Sequence, residues 1–288
     1  MKHLPCQLLV LLTTANLSQA AITIASSSLD WIPFTGNYDY LDDQQTGQPS
    51  ADIVGSGTDY GFYVSFDDNG SSLSTDGELA FRIRFDAPGD KSDPANFKNV
   101  VWIGIDADLS GTIDVFLGLS DSGNSTDIVI RDAGTGLNIS PNTTSISNAD
   151  YWTTTATSSN YSYRPVDYLT DGGTTNDITS TTSGDPDYYL SFVVPFQEIV
   201  DFLATTEGGS ITINDQSAMR YVAATSTQTN SLNQDLGGID GGNASTTSWE
   251  DLGGFTETVT PDGTVVPEPS SGFLALGSLA IALLRRRR

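Results

Sequence analysis

Asp106-Ala-Asp108-Leu-Ser110-Gly111-Thr112-Ile113-Asp114 places side-chain oxygens at positions one, three, five and nine of a short loop. Such spacing wraps a hard cation: the glycine at position six permits the sharp bend, and Thr112 can add its carbonyl. The chemistry implied is calcium binding by Asp106, Asp108, Ser110, Thr112 and Asp114. The competing reading is an acidic hairpin turn that holds no ion.

A helix–loop–helix calcium site also needs a glutamate at position twelve, where this chain has Leu117. The flanks read as strands, so the stretch resembles instead the strand–loop–strand aspartate loops of FG-GAP-type repeats. Only one copy is present, so no propeller follows from it.

The elements that must position this loop are strands. Apolar or alternating runs occur at residues 60–66, 78–85, 100–105, 113–119, 127–131, 188–194, 210–213 and 219–223. In the run from Glu78, the residues Leu79, Phe81, Ile83 and Phe85 share one face. Arg82 and Arg84 share the other, the pattern of a half-buried antiparallel strand with its arginines toward water. One helix is expected after Pro195, where Phe196, Ile199, Val200 and Leu203 recur at helical spacing. Residues 138–187 are rich in Thr, Ser and Asn and read as long loops or an irregular insertion. The fold class expected is mainly β: an antiparallel β-sandwich, jelly-roll-like, with one short helix, spanning residues 21–255.

Both ends read as targeting segments. Residues 1–20 carry Lys2, an apolar stretch and Ser18-Gln19-Ala20, as a cleaved signal peptide does. Residues 256–265 read as a linker. Residues 266–288 run Val266-Pro267-Glu268-Pro269-Ser270-Ser271, then the thirteen uncharged residues 272–284, then Arg285, Arg286, Arg287 and Arg288. A helix of thirteen residues covers roughly 20 Å, short for a bilayer core of ~30 Å. The arginines would stay cytoplasmic.

That order resembles the PEP-CTERM sorting signal of Gram-negative bacteria, over the last 24 residues or so. The resemblance implies processing by exosortase, a membrane enzyme, near Pro267, Glu268 and Pro269, with transient membrane anchoring of the exported chain. It also implies a place at the cell surface or in the extracellular matrix, often beside exopolysaccharide. A looser resemblance joins Trp102-Ile-Gly-Ile-Asp106 and Tyr189-Leu-Ser-Phe-Val-Val-Pro-Phe196 to DOMON-like carbohydrate-binding sandwiches.

Composition narrows the chemistry further. The only Cys is Cys6 and the only His is His3, both inside the leader. The mature chain therefore has no disulfides, thiolates, His-based triads or zinc sites of the His/Cys type. The formal net charge is −24, and thirty of the 36 acids are Asp. No basic footprint for nucleic acid exists, and divalent cations would relieve the self-repulsion. Trp31, Trp152, Trp249, Tyr161, Tyr163 and Tyr168 lie in polar contexts from which a ring can stack on a sugar.

Two functions remain. One is a non-catalytic surface or matrix protein, calcium-stabilised and binding exopolysaccharide. The other is a secreted polysaccharide hydrolase or lyase working through Asp or Glu.

Overall fold

The alternation from Glu78 to Phe85 becomes one full-length strand in the computed structural model. That structure describes residues 22–90, 96–121, 126–178, 185–205, 211–241 and 245–267. In chain order the strands are β1 (Ile32–Pro33), β2 (Phe62–Asp67), β3 (Glu78–Phe85), β4 (Val100–Asp106), β5 (Val115–Asp121) and β6 (Thr126–Asp132). They continue as β7 (Asp150–Thr155), β8 (Tyr161–Pro165), β9 (Tyr188–Pro195), β10 (Arg220–Ser226) and β11 (Asp235–Leu236). Among the described residues three α-helices accompany them, α1 (Tyr168–Asp171), α2 (Phe196–Thr205) and α3 (Trp249–Leu252).

The strands form two antiparallel sheets, ordered β1-β2-β3-β9-β8 and β11-β10-β4-β5-β6-β7. Their inner faces share one apolar core. Val64, Phe81 and Leu190 of the first sheet pack with Ile103, Leu117, Ile130 and Tyr221 of the second. The Phe81 and Tyr221 rings meet edge-on at 5.2 Å across the layers. Each such side chain, fully buried, contributes about 1.5–3 kcal/mol. The outer face of the second sheet is covered too: Trp102, Phe116 and Val222 pack beneath Trp249 and Ile239. Burial on both faces explains why residues 100–105 read as an unbroken apolar run.

Several expectations need correction. Arg82 and Arg84 do not face water; both are fully buried. The chain's first described segment lies across Arg82, whose guanidinium donates to the carbonyls of Ile24 (3.1 Å) and Ser26 (2.9 Å) and to Ser28 Oγ (2.8 Å). It also sits 4.3 Å over the Trp31 ring. Arg84 donates to Asp187 Oδ2 at 2.6 Å and to the Thr175 carbonyl at 2.9 Å. Alternation identifies a polar face but not whether another segment covers it.

The stretch read as loops holds β7, β8 and α1, while residues 211–213 form no strand. The four-strand meander β4-β5-β6-β7 departs from a jelly-roll, in which successive strands alternate between sheets. Helix α2 lies where expected and buries Phe196, Ile199, Val200 and Leu203. The single expected helix is joined by one-turn α1 and α3, each started by a capping side chain, Asp167 and Ser248.

Residues 256–265 are no free linker. Val259 is buried and pairs with both Met219 and Val265. The signal peptide and the sorting residues from Glu268 onward lie outside the described residues. Among the described residues no helix is long and apolar enough to cross a membrane.

Candidate metal centres

Strand β4 ends at Asp106 and β5 begins at Val115, so the Asp106 loop closes a hairpin whose last pair is Ile105 with Val115. Its turn needs left-handed backbone at Leu109 (φ 60°) and Gly111 (φ 85°). Backbone amides then point inward. Ser110 N donates to Asp106 Oδ1 (3.0 Å) and Asp108 Oδ1 (2.9 Å), Gly111 N to Asp106 Oδ2 (3.1 Å), and Ala107 N to Asp114 Oδ2 (2.7 Å).

Carboxylate oxygens of Asp106, Asp108 and Asp114 lie within 4.8 Å of one another. The Ser110 and Thr112 hydroxyls bond each other at 2.9 Å. Asp106 is buried and Asp108 exposed. Burial pushes Asp114 up to about 7; the Ala107 amide opposes this, and the neighbouring Asp108 and Asp106 charges reinforce it. The five residues read from the sequence thus come together.

The sequence reading missed their counter-ion. Arg220 of β10 donates to Asp106 Oδ2 at 2.5 Å and, through its other terminal nitrogen, to Glu250 Oε1 (2.7 Å) and Oε2 (2.8 Å). Arg220 stands opposite Asp106 in the β10–β4 ladder. Nothing local announces a partner 114 residues away.

A second acidic cluster, also missed, joins Asp39, Asp43 and Asp235, with carboxylate oxygens again within 4.8 Å. Strand β11 carries Asp235, whose oxygens accept from Ile53 N (2.6 Å) and Leu236 N (2.7 Å). Tyr40 N donates to Asp39 Oδ1 at 3.0 Å, and Gly241 N to Asp43 Oδ2 at 2.9 Å. Beside them Asp52 accepts from Asp42 N at 2.9 Å. Burial, then repulsion from Asp235 and Asp43, holds Asp39 well above the usual carboxylate range. Burial also pushes Asp52 to about 7; the Asp42 amide opposes, and the charges of Asp43, Asp86 and Asp42 add to it. The one legible sign was the density of acids in Asp39-Tyr-Leu-Asp42-Asp43.

Comparison with protein-family models, curated proteins and solved structures found no match to this chain.

The aromatic candidates divide. Trp31 and Trp249 are buried in the fold, Trp152, Tyr161 and Tyr163 are half-buried against the core, and Tyr168 is exposed. A cavity of about 110 Å³ is lined by Phe66, Asp68, Asp215, Gln216 and Asp262. Pockets for drug-sized ligands run to ~300–1,000 Å³.

Proposed function

We propose that this chain is an exported, non-catalytic protein of the cell surface or extracellular matrix, whose sandwich-like body is stabilised by calcium at the Asp106 loop. The observation that carries the reading is how its acids are held. Once the leader is gone they are the main groups left for acid–base work. In the Asp106 and Asp39 clusters all but Asp108 are buried or half-buried, and each is tied to a backbone amide rather than set facing another across an open cleft. Glycosidic hydrolysis needs two carboxylates flanking a bound sugar.

At the loop every donor is oxygen, which suits calcium. Asp106, Asp108 and Asp114 would hold the ion, with Ser110 and Thr112 at the rim. A carboxylate oxygen bonded to an amide keeps a second lone pair for a metal. Arg220 competes for Asp106, so the loop alternates between an internal cation and an external one. The resemblance of the tail supports processing by exosortase near Pro267, Glu268 and Pro269. The exposed Tyr168 supports a role for the body in exopolysaccharide binding.

Calorimetric titration of calcium into wild type, Asp106→Ala and Asp108→Ala tests the loop: a larger response is expected from wild type than from either variant, and equal responses refute it. The competing hydrolase or lyase predicts release of reducing ends from acidic or neutral glycans, whereas the proposed function predicts retention without cleavage. Mass spectrometry of the native protein is expected to start near Ala21 and to lack Arg285, Arg286, Arg287 and Arg288; an intact arginine cluster on released protein rules out sorting.

A further inference from the structure

We propose that Asp39, Asp43 and Asp235 form a second calcium site, independent of the Asp106 loop. Proximity of acids alone would not suggest it; the state of their oxygens does. In Asp39, Asp43 and Asp52, one carboxylate oxygen is anchored by a backbone amide. The other (Asp39 Oδ2, Asp43 Oδ1 and Asp52 Oδ1) is shut away from solvent and receives no donor. Asp39 is only 5% exposed, Asp52 and Asp235 less. Burying a carboxylate oxygen with neither donor nor cation is strongly unfavourable, and amide anchoring of one oxygen is what orients the other toward a ligand.

Compensation by side chains is missing as well. Among the described residues, no ion pair reaches Asp39, Asp43, Asp52 or Asp235, whereas Asp106 has Arg220 and Asp187 has Arg84. Next to Asp43, Gln44 is also buried and its Oε1 lacks a donor, a neutral oxygen of the kind calcium accepts.

An all-oxygen donor set without His or Cys selects a hard cation over zinc. Calcium takes six to eight oxygens in irregular geometry, while magnesium demands a regular octahedron and keeps its waters. Loops with buried, inflexible carboxylates suit the former. Asp43 remains partly exposed and gives the ion a way in.

The two centres sit at opposite ends of one strand. Asp106 pairs with Arg220 and Asp235 with Thr225, five residues along β10, about 17 Å apart. They can therefore be emptied separately.

The experiment counts calcium equivalents bound by the full chain, by equilibrium dialysis after chelation, in wild type, Asp39→Asn/Asp43→Asn and Asp108→Ala. Asparagine keeps the shape and removes the charge, so the double variant should fold. Loss of one equivalent in the double variant, unaffected by Asp108→Ala, is the expected result. Equal calcium uptake by wild type and the double variant overturns the site and leaves a protonated cluster; loss in Asp108→Ala alone removes this site and spares the loop. Should the double variant not fold, gadolinium added to wild type must broaden the amide resonances of Tyr40 and Gly241. Sharp resonances there overturn the proposal.

Discussion

Arg84 and Asp187 lie 2.6 Å apart with both side chains fully buried. Two charges removed from water together need each other more than the fold needs the pair. Arg84 also faces buried Asp59 at 3.5 Å, so Arg84→Met should cost about 3–5 kcal/mol by leaving both acids uncompensated, while Arg84→Met with Asp187→Leu should regain part of it. Urea denaturation of the two variants measures the difference; equal losses would count against it. The sequence showed that Arg82 and Arg84 share a face but not that residues 24–31 and Asp187 would close over it. Arg220 was invisible as a partner of Asp106 for the same reason. A long-range ion pair leaves no trace in local spacing, whereas the Asp106 loop was legible because its oxygen-bearing side chains lie within nine consecutive residues. Removing the competitor makes a further test: Arg220→Gln should tighten calcium binding at the loop, read by titration, while lowering stability in chelator. Unchanged affinity would separate Arg220 from the site.

Among the elements, β4 and β5 depend on one close approach. Gly118 stands opposite Trp102 in their ladder. A Cβ on it would come within 2.3 Å of the Trp102 ring and of the Val101 carbonyl. Gly118→Ala should destabilise by about 1–3 kcal/mol, since the indole has no room to move in a packed layer; thermal unfolding checks this, and an unshifted midpoint contradicts it. Strands with apolar alternation, such as β3 and β9, could be read directly. The Thr-rich β7 could not. Only Trp152 and Thr154 of its six residues are even half-buried, so its composition resembles that of a loop and its pairing with β6 supplies the order. Residues 256–265 misled for a related reason: Val259 is their main anchor, and two valines six residues apart do not make a strand pattern.

The whole molecule balances two kinds of acid. Burial raises the pKa of Asp59, but hydrogen bonds from Thr174, Thr58 and Thr175 outweigh it and bring the value to about 2. Asp171 likewise falls to about 2, burial being overcome by Arg164 and by the amides of Asp167 and Ser28. Groups lowered in this way stabilise the fold above their unfolded pKa near ~4, and that stability is lost as pH falls toward 2. Asp114, raised to about 7, works in the other sense. Its contribution is complete below ~4 and is lost as pH rises through 7. In chelator the melting temperature should therefore peak at about pH 4–5 and decline toward neutrality. Scanning calorimetry from pH 2 to 8 checks this; a melting temperature that climbs steadily from 4 to 8 would show that the buried acids are not governing stability.

The sheet order also sets a timetable. In the meander, β6 and β7 close over a short span: Arg131 reaches Asp150, 19 residues on. In the other sheet β3 must wait for β9, and Arg82 finds Ser191 109 residues later. Closing the longer loop is slower, so the meander should form early while β3, joined to β2 by a short hairpin, still lacks β9. Substitutions in β5 and β6 should then slow refolding, and those in β9 should mainly speed unfolding. Under the export proposed above this delay would help passage through a membrane, because the sheet that buries the arginines cannot lock until Ser191 of β9 has emerged.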